Sequence, residues 1–408
     1  MANPLRIVWL KTGPLHPLDT GGKIRTYNML KELKRGNEVT YLSLWPAGTP
    51  EEAREQADEY SQRQIWVPWK ETAKRSLKFF FELGNNLCLS PLPYAIHKYR
   101  SKLWIDAIRQ ADDPEKHDLI ICDFLTPAVN LFANQYQTRL PVLLFQHNVE
   151  SLIWQRTAEN AAGVSKPYFK NQWQRMQRFE SEACSQAKQV CTVSDEDAKL
   201  LREELKLKNV CGAVPTGVDV GFFSTTNEVR KPKSLVFLGS MDWMPNIDGV
   251  EWFAEKIWPR VKEKHPNATW KIVGRRPVPK VKELAAKDSS IEVTGTVPDV
   301  RPHLADSALM IVPLRVGGGT RIKIFEGMAT GIPCLSTRIG AEGLPVNHGE
   351  NVLLADEPER FAEEICQAFE DPAAAGKIGA NGRTLVESNY SWAKINEVFE
   401  DYCHQTLG

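Results

Sequence analysis

The chain has 408 residues, 42% of them hydrophobic and 25% charged, and its 51 basic residues are matched by 51 acidic ones. That length is too great for one hydrophobic core and predicts two or three domains. The balanced charge excludes a global field that would draw nucleic acid, so contact with a charged surface has to come from a local patch.

In chain order, Leu5 to Leu10 predicts a buried strand. Gly21 and Gly22 precede a helix, Ile24 to Leu33, with Lys23 and Arg25 in its first turn. Glycines let the backbone approach a ligand, and the unpaired amides of a helix start favour an anion. Gly36 stops the helix, Glu38 to Leu44 is a second strand, and Gln64 to Val67 a short third. The next forty residues are basic and aromatic, with Lys74, Arg75, Lys78, Phe79, Phe80, Phe81, Lys98, Arg100 and Trp104. They have two readings: an interfacial surface at an anionic membrane, or two surface helices with their phenylalanines buried. Asp118 to Cys122 and Leu140 to Phe145 are further buried strands, the latter leading into His147. Ligands of open parallel sheets bind outside the carboxyl ends of strands, so His147 is as readily functional as structural. One helical stretch, Gln155 to Ala187, places Trp173, Met176 and Phe179 on the core, and strands Lys188 to Val193 and Asn209 to Val214 follow.

Ser224 to Lys233 is polar and aperiodic and predicts a linker. The alternation then restarts with strand Leu235 to Gly239, a helix from Ile247, strand Thr269 to Gly274, helix Pro279 to Lys287, strand Ile291 to Gly295, a short helix Val300 to Ala305, and strand Ala308 to Leu314. Next comes VGGGTRIKIFEGMATG, Val316 to Gly331, in which three glycines precede a helix start. Arg321 and Lys323 oppose the helix dipole there unless an anion neutralises them. Glu326 is the only carboxylate from Ile322 to Cys334 and needs a partner, either ribose hydroxyls of a ligand or Lys323 at i,i+3. Strands Pro333 to Thr337 and Val352 to Ala355 and three helices complete the chain. Such alternation predicts two doubly wound α/β domains, residues 1–223 and 224–390, with a closing helix in 391–408. No G-x-G-x-x-G fingerprint is present, so a nicotinamide cofactor is not expected. Eight cysteines without a C-x-x-C pair, and no apolar run near about 18 residues, predict a reduced, cytoplasmic protein without a zinc framework.

The segments FLGSMDWMPNIDGVEWF, IVGRRP, VTGTVPDV, GGGTRIKIFEGMATGIPCLST and IGAEGL, with GGKIRTYNML, LFQHNVES, CTVSDEDAKLL and VPTGVDVGFF before them, resemble glycosyltransferases of the GT-B fold, in particular the GT4-like group called glycosyl transferases group 1. The chain is similar to bacterial sugar transferases of exopolysaccharide gene clusters. The resemblance implies two Rossmann-like domains facing a central cleft, and a last helix, around Trp392 to Tyr402, that returns to the first domain. It also implies retaining transfer, without cofactor or metal, from a UDP- or GDP-linked sugar to a glycan or lipid-linked acceptor. The protein would then be cytoplasmic, with peripheral contact at the inner face of the membrane.

By the same resemblance, Gly21 and Gly22 approach the donor pyrophosphate or the reacting centre, Gly318, Gly319 and Thr320 offer amides to the phosphates, Glu326 holds the ribose, and His147 lies near the transferring sugar. Gly239 and Ser240 join the donor-binding set. Two departures stand out. The first of the family's paired glutamates falls on Gly318, and its arginine–lysine pair falls on Ser240 and about Asn246. Arg321 and Lys323 are expected to supply the missing charge, and with Gly22 and His147 they form the expected catalytic set. A sugar-nucleotide epimerase of similar fold and a non-catalytic scaffold subunit are the alternatives.

Overall fold

Segments such as Ile7–Leu10 and Leu119–Cys122 are apolar at every position, so they need cover on both faces. In the computed structural model, which describes residues 4–161, 163, 165–224, 230–316 and 322–408, they form the middle of a parallel sheet. Two compact units divide the chain. One runs to Pro215 and includes Ile395–Gly408; the other is Thr216–Lys394. The sequence reading places these divisions at 223 and 390.

The first unit holds seven parallel strands, β1 (Arg6–Lys11), β2 (Glu38–Pro46), β3 (Arg63–Trp69), β4 (Leu119–Asp123), β5 (Val142–Phe145), β6 (Gln189–Thr192) and β7 (Val210–Ala213), in the order β3-β2-β1-β4-β5-β6-β7. Val8 lies opposite Thr40 on one side and Ile120 on the other. The second unit holds β8 (Lys231–Leu238), β9 (Thr269–Val273), β10 (Ile291–Gly295), β11 (Ser307–Val312), β12 (Cys334–Ser336) and β13 (Leu353–Leu354), all parallel, ordered β10-β9-β8-β11-β12-β13. Chain direction across each sheet reverses once, between β1 and β4 and between β8 and β11. Those two switch points are where a doubly wound fold leaves a crevice at the strands' carboxyl ends.

Several boundaries differ from the expected ones for identifiable reasons. The long helix expected over Gln155 to Ala187 is two helices, Glu150–Asn160 and Ser165–Gln186, and Gly163 between them adopts φ +58°, a conformation that ends helices. The expected linker ends early: Lys231–Lys233 already belong to β8, where Lys231 donates its backbone N–H to Asp306 O and ion-pairs with the Asp306 carboxylate at 2.7 Å. Residues 225–229 of that linker lie outside the described residues. Of the basic, aromatic stretch, Trp104 enters the core, but Phe80 and Phe81 are exposed, so the reading with buried phenylalanines does not hold.

The final helix, Trp392–Leu407, starts in the second unit, where the Trp392 ring fills the space beside Gly217. From Ile395 on it belongs to the first unit, and Phe399 packs its ring against Trp9 and Phe145, at 5.6 and 5.4 Å between centroids. All eight cysteines are free thiols.

Candidate active site

In the first unit, β4 carries its last residue, Asp123, to the switch point with no exposed surface at all. Asp123 Oδ2 accepts three hydrogen bonds, from Trp9 Nε1 (2.9 Å), Lys11 Nζ (2.7 Å) and Thr26 Oγ1 (2.7 Å). His147 Nε2 lies 2.8 Å from Oδ1, at ion-contact distance but without hydrogen-bond geometry. Burial alone would push the Asp123 carboxyl up; the Lys11 and His147 charges outweigh it and hold the group well below the usual carboxylate range. Burial lowers Lys11 as well, and takes Arg25 down to about 10. It takes His147 down to about 4 despite the opposing pull of Asp123. His147 is therefore neutral at neutral pH, and its Nδ1 is neither bonded to a described residue nor sealed from solvent.

Phe124 follows Asp123 with φ +78°, a region a phenylalanine occupies only when its surroundings hold it there. Its ring stacks on His147 at 4.2 Å, and Lys11 Nζ sits 4.9 Å from its centroid. The same ring lies 3.5 Å from where a Cβ on Gly22 would stand, so Gly22 and His147 are brought together through Phe124. Gly21 and Gly22 are not ahead of the helix, as expected, but form the first turn of the helix Gly21–Leu33, because Thr20 caps it by accepting from Lys23 N. Lys23 turns outward to Asp19 at 3.0 Å, and Arg25 is the buried cation. Asp123, Lys11 and Phe124 went unnoticed in the sequence, though a charged residue directly after a buried strand is the signal that marks both Lys11 and Asp123.

In the second unit, β8 runs out into Gly239 and Ser240, and the loop after β9 packs on them so closely that a Cβ on Gly274 would stand 1.7 Å from Gly239 O. Lys323, from the helix Ile322–Ala329, donates from Nζ to Asn246 Oδ1 (2.9 Å) and lies 4.6 Å over the Phe237 ring. Asn246 in turn donates to Ser240 O (2.9 Å). A Cβ on Gly239 would meet Asn246 Nδ2 at 2.6 Å and Lys323 Nζ at 2.9 Å, so glycine is what lets the ammonium sit over this strand end. Ser240 Oγ donates to Asp242 (2.6 Å) and accepts from Arg275 Nε (2.9 Å). The places of the family's basic pair are thus attended by Lys323 and by Arg275, a residue the sequence reading did not single out.

Glu326 lies on the same helix as Lys323. Its surroundings push its carboxyl up by desolvation, with Lys323 pulling the other way, although part of its surface remains accessible. It makes no hydrogen bond and no ion pair among the described residues, so the i,i+3 salt bridge to Lys323 is not formed. Gly318, Gly319, Thr320 and Arg321 lie outside the described residues. Among the described residues no group of three His, Cys, Asp or Glu side chains is arranged to hold a metal ion.

Residues 20–222 match the family described as Glycosyltransferase Family 4, and residues 232–371 match Glycosyl transferases group 1. An uncharacterized 44.6 kDa protein of the cps region of Klebsiella pneumoniae is 24% identical over 41% of this chain and 45% of its own length. The GDP-mannose-dependent monoacylated α-(1-6)-phosphatidylinositol monomannoside mannosyltransferase of Corynebacterium glutamicum is 25% identical over 45% of this chain and 53% of its own. The chain thus spans about half the length of these two relatives. The crystal structure of Anabaena HepE in complex with UDP shares the fold over 98% of this chain and 100% of that one, with a TM-score of 0.68 at 14% identity. With both halves matched in order and two parallel-sheet domains of the GT-B type, the chain belongs to the group 1, GT4-like glycosyltransferases.

Proposed function

We propose that the protein transfers a sugar, with retention and without a metal, from a UDP- or GDP-linked donor to a glycan or lipid-linked acceptor. It would do so in surface polysaccharide synthesis, on the cytoplasmic side of the membrane. The observation that carries this reading is Glu326: a desolvated carboxylate with no bonded partner among the described residues, one turn from the Lys323 ammonium at a sheet switch point. A carboxylate so placed accepts hydrogen bonds from vicinal hydroxyls such as those of ribose, while an adjacent ammonium meets phosphate oxygens. Lys323 and Arg275 then oppose the charge that grows on the departing diphosphate. Fixed donors of this kind are worth about 3–4 kcal/mol each in a transition state.

His147, neutral and with Nδ1 open, offers an acceptor to a hydroxyl of the transferring sugar or of the acceptor. Gly21 and Gly22 leave room for a ligand's close approach to the first turn of their helix. The UDP bound by HepE and the GDP-mannose named for the Corynebacterium enzyme support a nucleotide-sugar donor. The cps-region relative supports a role in surface polysaccharide.

The test is a thermal-shift panel of UDP, GDP, ADP and their sugars in the presence of EDTA. One base is expected to raise the melting temperature, since a ligand at a hundred times its Kd stabilises by about 2.7 kcal/mol. Lys323→Ala should abolish the shift. No shift with any nucleotide, or a shift that disappears with EDTA, overturns the donor assignment or its metal independence respectively.

A further inference from the structure

The helix Leu77–Leu89 of the first unit packs a mixed polar and apolar face against the protein and leaves a second, apolar face exposed. Phe79, Glu82, Leu83 and Asn86 face the protein. Glu82 accepts from Thr72 Oγ1 (2.8 Å) and Tyr94 OH (3.3 Å), Phe79 packs edge-on against Tyr94 at 5.6 Å, and Asn86 Nδ2 donates to Leu92 O. Arg175 caps the far end, donating to Asn86 O and Leu87 O at 2.9 and 2.7 Å. Ser76 caps the near end by accepting from Phe79 N. These contacts fix the helix in one rotational setting.

That setting turns Leu77, Phe80, Phe81, Gly84, Leu87 and Cys88 outward, the i, i+3, i+4, i+7 stripe that ordinarily faces a core. Leu77 is 90%, Phe81 75% and Phe80 57% exposed. A contiguous apolar stripe of this kind on a firmly held helix marks a contact surface. Its border is basic. Lys70, Lys74, Arg75 and Lys78 are all exposed at the start of the helix and in the loop before it. Of the nearby acids, Glu71 is engaged by Lys98 at 2.6 Å and Glu82 faces Lys78 at 3.8 Å as well as the body of the unit.

We infer that this helix seats the protein on an anionic bilayer surface, with Leu77, Phe80 and Phe81 entering the acyl boundary and Lys70, Lys74, Arg75 and Lys78 meeting lipid phosphates. An apolar face beside a cluster of cations matches a charged lipid interface, and no helix of the described residues is long and apolar enough to cross a membrane instead. The inference rests on the membrane-side reading proposed above and supplies its place. Residues 70–76 leave β3 at its carboxyl end, the edge of the parallel sheet that also carries Asp123 and His147. β3 lies three strand spacings from β4, about 14 Å. A lipid-linked acceptor held at that surface would therefore be presented on the side of the sheet where the site lies.

The experiment is cosedimentation of the full chain with phosphatidylcholine vesicles, with and without phosphatidylglycerol. Binding is expected only with phosphatidylglycerol, falling as salt is raised. Phe80→Ser/Phe81→Ser should cut it roughly tenfold or more, and Lys74→Glu/Arg75→Glu should remove the preference for the anionic lipid. The melting temperature and the nucleotide response of both variants should be unchanged, which separates this surface from the donor site. Absence of wild-type binding, or undiminished binding by the phenylalanine variant, overturns the inference. So does a wild-type dimer that Phe80→Ser/Phe81→Ser converts to monomer with vesicle binding unaffected, because the stripe would then be an interface between two copies of this chain.

Discussion

Asp123, the last residue of β4, and Glu326, on the helix Ile322–Ala329 that follows β11, are both desolvated carboxylates with a lysine close by, and they differ in what has been done with the charge. Asp123 takes hydrogen bonds from Trp9, Lys11 and Thr26 and has His147 at contact distance, so its charge is spent inside the fold. Glu326 has no bonded partner among the described residues, and the nearby lysine bonds to the neutral amide of Asn246. Asp123 is held by three donors on one oxygen and organises its neighbours; a desolvated carboxylate with no bonded partner fits a ligand's hydroxyls. The first unit holds His147 and Phe124 in place, and the proposed function gives Glu326 of the second to a ligand.

If that contrast is right, removing the two carboxylates has opposite consequences, and the largest effect falls on stability. Asp123→Ala leaves Lys11 buried without its counter-charge, which for a broken buried pair costs about 3–5 kcal/mol. Urea unfolding should show that loss, and an unaltered midpoint would mean the cluster is not the organising centre of the first unit.

The cluster also has a pH signature, masked in the wild type. His147 takes its proton at about 4 when folded, against 6.5 as a free group, so between those values the unfolded chain binds more protons and stability falls as pH drops. Glu180 works in the other direction. Burial raises it from 4.5 to about 7 against the opposing hydrogen bonds from Glu150 N and Ser151 N, so its contribution is present at low pH and lost as pH rises through that window. The two slopes oppose each other over nearly the same range. Glu180→Gln removes one, and adding His147→Gln removes the other: between pH 6.5 and 4 the unfolding free energy of Glu180→Gln should fall by about 3 kcal/mol more than that of Glu180→Gln/His147→Gln, the remaining fall coming from other groups, among them the half-buried His97 and the buried His117 and His265. Identical profiles in the two variants would show that His147 is not held neutral by its surroundings.

Glu326→Ala should leave the melting temperature unchanged or slightly raised, because it relieves a desolvated charge that has no bonded partner in the fold. Nucleotide affinity should fall by about 10- to 100-fold, the range expected for losing hydrogen bonds of about 1.5–3 kcal/mol to a charged group. Calorimetry on the nucleotide that emerges from the thermal-shift panel measures both halves of this expectation on one sample. A variant that unfolds instead would place Glu326 in the same structural class as Asp123.

The central strands were legible because they are apolar at nearly every position, and the candidate site's neighbourhood was legible because strand, glycine and helix start recur in order. What could not be read was the destination of individual charges. Asp123 follows a buried strand as an exposed loop residue would, and only residues 9, 11, 26 and 147, far apart in the chain, decide that it is enclosed. Arg275 belongs to a motif that was recognised, yet its hydrogen bond to Ser240 depends on Gly274 letting two loops touch. Phe80 and Phe81 were ambiguous for another reason: a helix with phenylalanine and leucine on both faces has a hydrophobic pattern that does not say which face the protein covers.

The smallest predicted effect sharpens the comparison most finely. Gly239 and Gly274 are glycines because the protein itself fills the space, with backbone oxygen and the Lys323 ammonium where a Cβ would go. Gly21 has nothing within 4 Å of that position, it sits in the first turn of a helix, and its φ is not in the left-handed region. The fold therefore gives no steric reason for glycine there. Gly21→Ala should raise stability by about 0.5–1 kcal/mol, through the reduced freedom of the unfolded chain and better helix propensity. If a ligand's backbone approach is what the glycine serves, that same variant should bind the nucleotide sugar less well while melting higher, a combination that a purely structural glycine cannot produce.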